Sequence, residues 1–228
     1  MAVVAIDGTA GSGKSTLARG LARTLDLPYV NTGVMYRALA RAALDEGIDP
    51  SDGPALAAVA GRLRFTLGPH GADGVSGIEV EGSPPGPDLE TPEVEAIVSG
   101  VARHPEVRAV LVERQRALAG PGAVVEGRDI GTVVFPDAPV KLFLTADPRA
   151  RAERRAIERA GAADEAVVAE NLQRRDRRDA VTNPFDPAPG AVVIDASERS
   201  IEQVLALALD IARAAGVAGP DLTGGGPG

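Results

Sequence analysis

The chain of 228 residues contains no cysteine and no tryptophan, and only 3% of its residues are aromatic. The lack of cysteine excludes disulfide frameworks and thiolate metal sites, and it is typical of a protein in a reducing compartment. His70 and His104 are the only imidazole ligands, which argues against a zinc enzyme. Few aromatic side chains also leave few stacking surfaces for single-stranded nucleic acid.

Long hydrophobic runs are absent as well. No apolar run approaches the roughly 20 residues that a membrane-spanning helix requires, and residues 1–6 lack the basic segment that opens a secretory signal. A net charge of -8 disfavours binding to duplex DNA or to anionic membranes. We therefore expect a cytoplasmic monomer that binds neither nucleic acid nor membrane.

The composition is that of a globular protein, with 44% hydrophobic and 25% charged residues. These values favour one large domain that carries at most a small insert. Charge is unevenly spread, because residues 149–178 contain nine arginines against six acidic residues. A locally basic segment in an acidic protein suggests a small anionic ligand.

Short apolar runs bounded by turns predict strands over residues 3–7, 29–31, 123–126, 140–145 and 191–195. Helical periodicity falls between them, over residues 15–25, 34–46, 92–118, 148–160, 164–178 and 201–215. Continuous apolar strands that alternate with helices predict an α/β fold, in which a parallel sheet is covered on both faces.

Two segments depart from this alternation. Residues 63–91 contain two short alternating runs around a glycine-rich turn, which predicts a small antiparallel insert within a core formed by residues 1–62 and 92–216. Residues 217–228 are rich in glycine and proline, so we expect a flexible tail there.

The strongest motif is Gly8-Thr9-Ala10-Gly11-Ser12-Gly13-Lys14-Ser15-Thr16, which lies between the first predicted strand and the first predicted helix. It fits the P-loop pattern, in which backbone amides wrap a phosphate, the lysine reaches the β and γ oxygens, and the following hydroxyl binds Mg²⁺. Lys14 is one of only two lysines beside 22 arginines. A compact ammonium at this position argues against a mere glycine-rich turn.

A P-loop alone does not separate a kinase from a GTPase switch, a helicase motor or an ATP-driven assembly factor. The sequence contains no Asn-Lys-x-Asp motif to recognise guanine, and its length leaves no room for a second motor core. The remaining motifs must therefore distinguish among these classes.

Three further blocks narrow the choice. They are Asn31-Thr32-Gly33-Val34-Met35-Tyr36-Arg37, Glu126-Gly127-Arg128-Asp129-Ile130-Gly131-Thr132-Val133-Val134-Phe135-Pro136-Asp137 and Arg174-Arg175-Asp176-Arg177-Arg178-Asp179. Together with the P-loop, these blocks closely resemble the bacterial cytidylate kinases, which are P-loop nucleoside monophosphate kinases. The resemblance runs from about residue 3 to residue 212.

The resemblance implies a three-layer fold with five parallel strands, a monophosphate-binding insert over residues 63–91 and a short lid over residues 149–163. It also implies ATP and Mg²⁺ as cofactors, with CMP and dCMP as substrates. The core, insert and lid would form a single kinase domain over residues 1–216.

The same resemblance implies roles for individual residues. Thr32, Tyr36 and Arg37 would line the monophosphate pocket, while Ser99, Arg108 and Asp129 would recognise the cytosine edge. Arg128 would join Arg37 at the acceptor phosphate, and Arg175 and Asp179 would lie at the sugar. Arg151, Arg154 and Arg155 would close over ATP, Ser15 would bind Mg²⁺, and Lys14, Arg37, Arg128 and Arg154 would be catalytic.

The chemistry of these residue types agrees with that assignment. Transfer between two anions needs their repulsion screened and their oxygens aligned, which arginine forks do. A monophosphate already presents an anionic oxygen, so no strong base is required. A carboxylate with an arginine or a hydroxyl is a complete reader of the cytosine edge.

Each assignment has a structural alternative. Arg128 and Asp129 are also compatible with a structural ion pair, and Arg108 with a solvated helix residue. The arginines from Arg149 to Arg159 alternate with acids, which favours pairing along an exposed helix. The chain also departs from the family at two points. Position 31 is Asn where the family usually has Asp, and the arginine that the family has a few residues after the position of Asp179 has no clear counterpart. We expect Arg177 or Arg178 to replace that arginine in part.

Two other functions stay open from the residues alone. One is a kinase for another small acceptor, such as a different monophosphate, shikimate or dephospho-coenzyme A. The other is a nucleotide-dependent switch with no small acceptor, whose turnover CMP would not affect.

Overall fold

The computed structural model describes residues 2–158 and 186–217. Its strands are β1 (Ala2–Gly8), β2 (Tyr29–Asn31), β3 (Phe65–His70), β4 (Ser76–Val80), β5 (Gly122–Glu126), β6 (Val140–Thr145) and β7 (Val192–Asp195). Five of them form one sheet in the order β2-β5-β1-β6-β7, in which every pair is parallel. The predicted α/β fold with a five-stranded parallel sheet is therefore confirmed.

The helices are α1 (Lys14–Leu25), α2 (Thr32–Glu46), α3 (Gly53–Arg62), α4 (Pro92–Val101), α5 (Pro105–Ala119), α6 (Pro148–Glu158) and α7 (Ile201–Ala214). A 3₁₀-helix covers Pro87–Glu90, and a π-helical turn covers Ile130–Val134. Within the described ranges, no helix combines the length and apolar character needed to span a bilayer.

Helices cover both faces of the sheet because its strands are apolar on both sides. In β1, Val3 and Ala5 face the side chains of α2, α3, α4 and α5, whereas Val4 and Ile6 face those of α1 and α7. Successive residues of a strand point to opposite faces, so a run of buried residues requires two cores. Because all five strands of this sheet are parallel, their carboxyl ends lie at one edge, where the candidate site is found.

The predicted helical stretch over residues 92–118 is wrong in one respect, because the structure divides it into α4 and α5. His104 has extended backbone angles (φ -72°, ψ 122°), and α5 begins at Pro105. A residue before proline is disfavoured in the helical region, whereas proline fits the first helical position. Apolar periodicity continues across this break, so the pattern alone does not reveal it.

Helix α3 is absent from the prediction. The Asp52 carboxylate caps it by accepting a hydrogen bond from the amide of Ala55 at 3.0 Å, and a proline occupies its first turn. Leu56, Val59 and Ala60 bury its inner face. An acidic cap followed by proline is a helix-start signal, but an alanine-rich helix of ten residues has a weak apolar period.

The predicted antiparallel pair is present as β3 and β4, which pair Phe65 with Val80. At the turn between them, the Asp73 carboxylate forms an ion pair with Arg19 of α1 at 2.8 Å, and Arg23 donates to the Asp73 carbonyl at 2.8 Å. Val75 packs beside them in the core under α1. The tip of the hairpin is thus docked on the helix that follows the phosphate loop.

Three predicted segments lie wholly or partly outside the described residues. The predicted helix over residues 164–178 lies outside the described residues, as do residues 159–160 at the end of the predicted helix over 148–160. Val217, the first residue of the expected tail, is buried against α7 and the sheet, and residues 218–228 lie outside the described ranges.

The two-core arrangement predicts a large difference between two leucines in helices. Leu21 of α1 is 0% exposed, whereas Leu207 of α7 is 39% exposed. Leu21→Ala should lower the free energy of unfolding by about 3 kcal/mol because it leaves a cavity. Leu207→Ala removes the same atoms and should cost less than about 1 kcal/mol. Urea denaturation of both variants measures the difference, and equal losses would contradict the layer assignment.

Candidate active site

The loop between β1 and α1 has the backbone of a phosphate cradle. Gly8, Gly11 and Gly13 have φ angles of +146°, +72° and +93°, which residues with a Cβ rarely adopt. A Cβ on Gly8 would lie 2.1 Å from the Leu144 carbonyl oxygen of the neighbouring strand. The glycines of the motif are therefore required by backbone geometry as well as by access for a phosphate.

Polar side chains fold this loop back on itself. The Lys14 ammonium donates to the Thr9 carbonyl at 2.7 Å, and the Ser12 hydroxyl donates to the same carbonyl at 3.0 Å. The lysine head is thereby held over the loop at the amino end of α1, where the helix dipole favours an anion. The structure thus places Lys14 beside the glycine-rich loop, and its contact with a phosphate stays a prediction.

Helix α6 lies against the phosphate loop through two of its arginines. Arg151 donates to the Ala10 carbonyl at 3.3 Å, and Arg154 donates to the Ser12 carbonyl at 3.2 Å and to the Ala196 carbonyl. On the outer face of the same helix, Arg149 pairs with Glu153 at 2.9 Å. The predicted arginine run therefore includes both inward groups and a solvated i,i+4 pair. The side chain of Arg155 lies outside the described residues.

A cavity of about 370 Å³ opens beside the phosphate loop. It lies between the amino end of α1, Arg154 of α6 and the carboxyl end of β7. Its lining residues are Ser12, Gly13, Thr16, Leu144, Arg154, Ala196, Arg199, Ser200, Ile201 and Val204. The cavity combines an apolar floor with two guanidinium groups, and planar aromatic bases stack well on such groups.

Glu126 is a buried acid beside the phosphate loop, and no sequence motif assigns it a role. It ends β5, is only 3% exposed, and accepts hydrogen bonds from the Ser15 hydroxyl at 3.1 Å and from the Tyr29 hydroxyl. Its backbone carbonyl accepts from Thr32 at 2.8 Å. An acidic residue at the end of an apolar strand is the sequence signal that identifies it.

Tyr29 connects this carboxylate to α1. Burial raises the pKa of its hydroxyl well above the ordinary value, and the charge of Glu126 raises it further. The Arg19 guanidinium lies 5.1 Å from the centre of the Tyr29 ring, a cation-π distance. Asn31 also donates to the Tyr29 hydroxyl at 3.1 Å. The carboxylate beside the phosphate loop is thus held from several elements.

Arg128 and Asp129 follow β5 and have different partners. Arg128 donates to the Gly8 carbonyl at 2.6 Å, which places its guanidinium at the start of the phosphate loop. Asp129 forms an ion pair with Arg108 of α5, and both side chains are less than one fifth exposed, at 12% and 17%. The structure therefore brings Arg108 and Asp129 together, and their role in recognising the cytosine edge stays a prediction.

Tyr36 lies beside that pair. Burial raises the pKa of Tyr36 to about 12, the positive charge of Arg108 opposes the rise, and the negative charge of Asp129 adds to it. The tyrosine hydroxyl also interacts with the side chain of Gln115, a second residue missed in the sequence. Gln115 is itself buried in α5, the helix that also carries Arg108.

The other predicted acceptor residues are placed less closely. Arg37 is half-buried, and its guanidinium lies over the first turn of α2. It is close enough to Gly33 that a Cβ added there would lie 3.1 Å from Arg37 Nη1. Ser99 is half-buried in α4. Thr32 is buried, and its hydroxyl bonds to the backbone of Glu126. Arg175 and Asp179 lie outside the described residues, and the predicted roles of all these residues stay predictions.

Comparison with known proteins agrees with this geometry. The family model for cytidylate kinase matches residues 4–214. A cytidylate kinase of Mycobacterium avium (strain 104) is 47% identical over 219 residues, covering 92% of this chain and 95% of that protein. A cytidylate kinase of Rhodopseudomonas palustris (strain ATCC BAA-98 / CGA009) is 44% identical over 219 residues, covering 93% and 96%.

A similar fold is found among solved structures. An uncharacterized protein from Eubacterium ventriosum ATCC 27560 has a TM-score of 0.52 and 14% sequence identity, and the match covers 93% of this chain and 99% of that protein. At this identity, the likeness supports the fold alone.

The two tyrosines allow a direct test of the buried network, since the chain has no tryptophan. In the folded protein, neither tyrosine should ionise at about pH 11, whereas both should do so near pH 10 in concentrated urea. The folded state holds these protons more tightly than the unfolded state does. The contribution of the protonated tyrosines to the free energy of unfolding should therefore be fully present below about pH 10 and be lost as pH rises toward 12. Tyrosinate absorbance measures the ionisation, with circular dichroism to monitor folding and Tyr36→Phe and Tyr29→Phe to assign each step. A tyrosinate signal near pH 10 from folded protein would contradict the buried setting.

Proposed function

This chain belongs to the cytidylate kinase family, and we propose that it transfers the terminal phosphoryl group of ATP to CMP or dCMP, giving ADP and CDP or dCDP. The observation that carries this proposal is the buried Arg108–Asp129 pair beside a glycine-rich phosphate loop. The phosphate loop after β1 and the turn that carries Asp129 after β5 leave the sheet side by side, at the carboxyl ends of parallel strands where ligands of such sheets bind. We propose the loop for the donor and the Arg108–Asp129 pair for the acceptor.

The donor side is supported by the loop, α6 and the adjoining cavity. The amides of residues 8–16 and the Lys14 ammonium would hold the ATP phosphates, as in other P-loops. Arg151, Arg154 and Arg155 would close over them, so we propose residues 149–163 as a lid. The cavity between Arg154 and Arg199 is of a size and character that suit the donor base.

The acceptor side is supported by the chemistry of the buried pair. Cytosine presents an exocyclic amino group beside ring acceptors, which a carboxylate and a guanidinium complement. Asp129 would accept from the amino group, while Arg108 and Ser99 would bond the rest of the edge. Uracil has a carbonyl in place of that amino group, so the Asp129 carboxylate would repel it.

Further groups would bind the rest of the acceptor nucleotide. Arg37 and Arg128 would hold its phosphate, with Thr32 and Tyr36 lining the same pocket. Arg175 and Asp179 would contact the sugar. We propose residues 63–91 as the acceptor-binding insert within a single domain over residues 1–216.

The transfer itself requires alignment more than acid-base chemistry. An anionic oxygen of the acceptor phosphate forms a bond to the γ-phosphorus, and the bond from that phosphorus to the bridging oxygen of ADP breaks in line with it. Lys14, Arg37, Arg128 and Arg154 would align the two phosphates and neutralise the charge that develops between them. No general base has to accept a proton, because the acceptor oxygen is already ionised.

The residues beside the loop also fit a magnesium ion. Mg²⁺ takes oxygen ligands and is usually held by one or two protein groups together with substrate phosphates. The Ser15 hydroxyl and the buried Glu126 carboxylate, 3.1 Å apart, provide such groups and would hold the ion. Bound there, Mg²⁺ would neutralise charge on the donor phosphates.

The two lysines of the chain provide a matched test of the phosphate loop. Lys14→Ala should lower kcat by about a hundredfold to a thousandfold, since it removes a cation from the transferring group. Lys141→Ala removes the same side chain from β6, where it donates to the Pro189 carbonyl at 3.2 Å, and should leave kcat within about twofold. A coupled assay for ADP measures both variants. Equal effects of the two substitutions would contradict the role of Lys14.

A panel of monophosphates tests the acceptor. With ATP and magnesium, kcat/KM of the unmodified protein should be highest for CMP and dCMP. Asp129→Asn should lower the ratio of kcat/KM for CMP to that for UMP by about tenfold or more, because an amide can donate to the uracil carbonyl. A preference for AMP or UMP in the unmodified protein would overturn the substrate assignment. Turnover of ATP that CMP does not affect would instead favour a nucleotide-dependent switch.

A further inference from the structure

The turn that follows Asp129 is held at both of its ends by side chains from other elements. It is the π-helical turn Ile130–Val134, in which the Phe135 amide donates to the Ile130 carbonyl at 2.7 Å. Turns of this kind are rare and occur frequently at functional sites. Asp129 precedes the turn with backbone angles (φ -148°, ψ 30°) between extended and helical values. The direction of its side chain therefore depends on where the turn begins.

Asp7 fixes the beginning of the turn. Its carboxylate, at the end of β1, accepts hydrogen bonds from the amides of Ile130 at 2.7 Å and Gly131 at 2.8 Å. The side chain is 5% exposed, so these two bonds must replace the water it has lost. A Cβ on Gly131 would lie 3.3 Å from Asp7 Oδ2 and 3.1 Å from the Ala188 side chain, which leaves little room for the turn to shift.

Arg116 fixes the other end. Its guanidinium donates to the Val134 carbonyl at 2.8 Å and to the Val133 carbonyl at 2.9 Å. Arg116 belongs to α5, the same helix that carries Arg108, the partner of Asp129. One rigid helix thus holds the end of the turn and the group that Asp129 must meet.

From these contacts, we propose that Asp7 and Arg116 are positioning residues that align the Asp129 carboxylate with Arg108 and thereby set the preference of the acceptor pocket for cytosine over uracil. The inference depends on the proposed function, because it assumes that Asp129 recognises the base. Neither positioning residue has to touch the nucleotide. Their effect is expected in base discrimination rather than in the chemical step.

Three variants test this inference through the ratio of kcat/KM for CMP to that for UMP. Asp7→Asn keeps the shape of the side chain but turns an N–H group toward a backbone amide, and it should lower the ratio by about tenfold. Arg116→Gln should lower the ratio in the same direction. Arg116→Lys, which keeps one charged donor, should restore part of it.

Arg114 provides the matched control. It lies on the same helix and donates to two backbone carbonyls, those of Leu63 and Gly61, away from the turn after Asp129. Arg114→Gln should lower stability by a similar amount but leave the ratio within about twofold. Thermal unfolding and the KM for ATP, measured on all variants, separate loss of folding from loss of discrimination.

A double-mutant cycle with Asp129→Asn distinguishes alignment of Asp129 from a separate effect. If Asp7 and Arg116 act through Asp129, then Asp7→Asn and Arg116→Gln should change the ratio by less than about twofold in the Asp129→Asn background. Full additivity would overturn the inference, as would equal losses of kcat/KM for CMP and UMP in the single variants. Should Asp7→Asn fail to fold, Arg116→Gln alone decides the outcome.

Failure of the proposed function would be seen in two other measurements, the preference of the unmodified protein for CMP over UMP and the effect of Asp129→Asn on that preference. If the unmodified protein shows no preference for CMP over UMP, or if Asp129→Asn leaves that preference unchanged, the assignment of Asp129 itself is wrong. If both results are as expected and the Asp7 and Arg116 variants keep the original ratio, only the positioning role is overturned.

Discussion

The parallel pairing of β1 with β5 is the constraint on which the site depends. Its register sets Ile6 opposite Glu126, so the phosphate loop after β1 and the turn after β5 leave the sheet side by side. Neighbouring carboxyl ends of parallel strands open a crevice of this kind. Arg128 spans it by donating from the turn to Gly8 of the loop. The phosphate loop and the turn that carries Asp129 therefore form adjoining walls of one crevice.

Three carboxylates at this edge are stabilised in three different ways. Asp7 accepts hydrogen bonds from two backbone amides, Glu126 accepts hydrogen bonds from two hydroxyl groups, and Asp129 forms an ion pair with a guanidinium. A buried charge costs several kcal/mol unless such partners replace its water, so each acid must keep its own set. Because the partners belong to different elements, each carboxylate also fixes one element against another. The acids thereby order this edge of the sheet, while the arginines and Lys14 would supply the charge that phosphates require under the proposed function.

Local pattern predicts much of this fold, because apolar runs between turns are local information. The strands over residues 29–31 and 140–145 have the predicted bounds, and the phosphate loop is a contiguous motif. What the sequence does not reveal depends on distant partners. Glu126 meets Ser15 across 111 positions of the chain, and Asp7 meets Gly131 across 124. An isolated acid at the end of a strand looks the same whether it is solvated or holds another loop, so only the assembled sheet distinguishes the two.

The acidic balance of the chain decides how nucleotides are attracted to the site. With a net charge of -8, the protein gives an anion no long-range attraction beyond the Debye length of about 8 Å at physiological ionic strength. Under the proposed function, attraction would come from cations that a nucleotide meets on contact, such as Lys14, Arg128 and Arg154. Each of these already donates to a backbone carbonyl, so a phosphate must replace or share that partner. Affinity then depends on how well phosphate oxygens match the positions of the donors, which makes geometry rather than net charge the basis of selectivity.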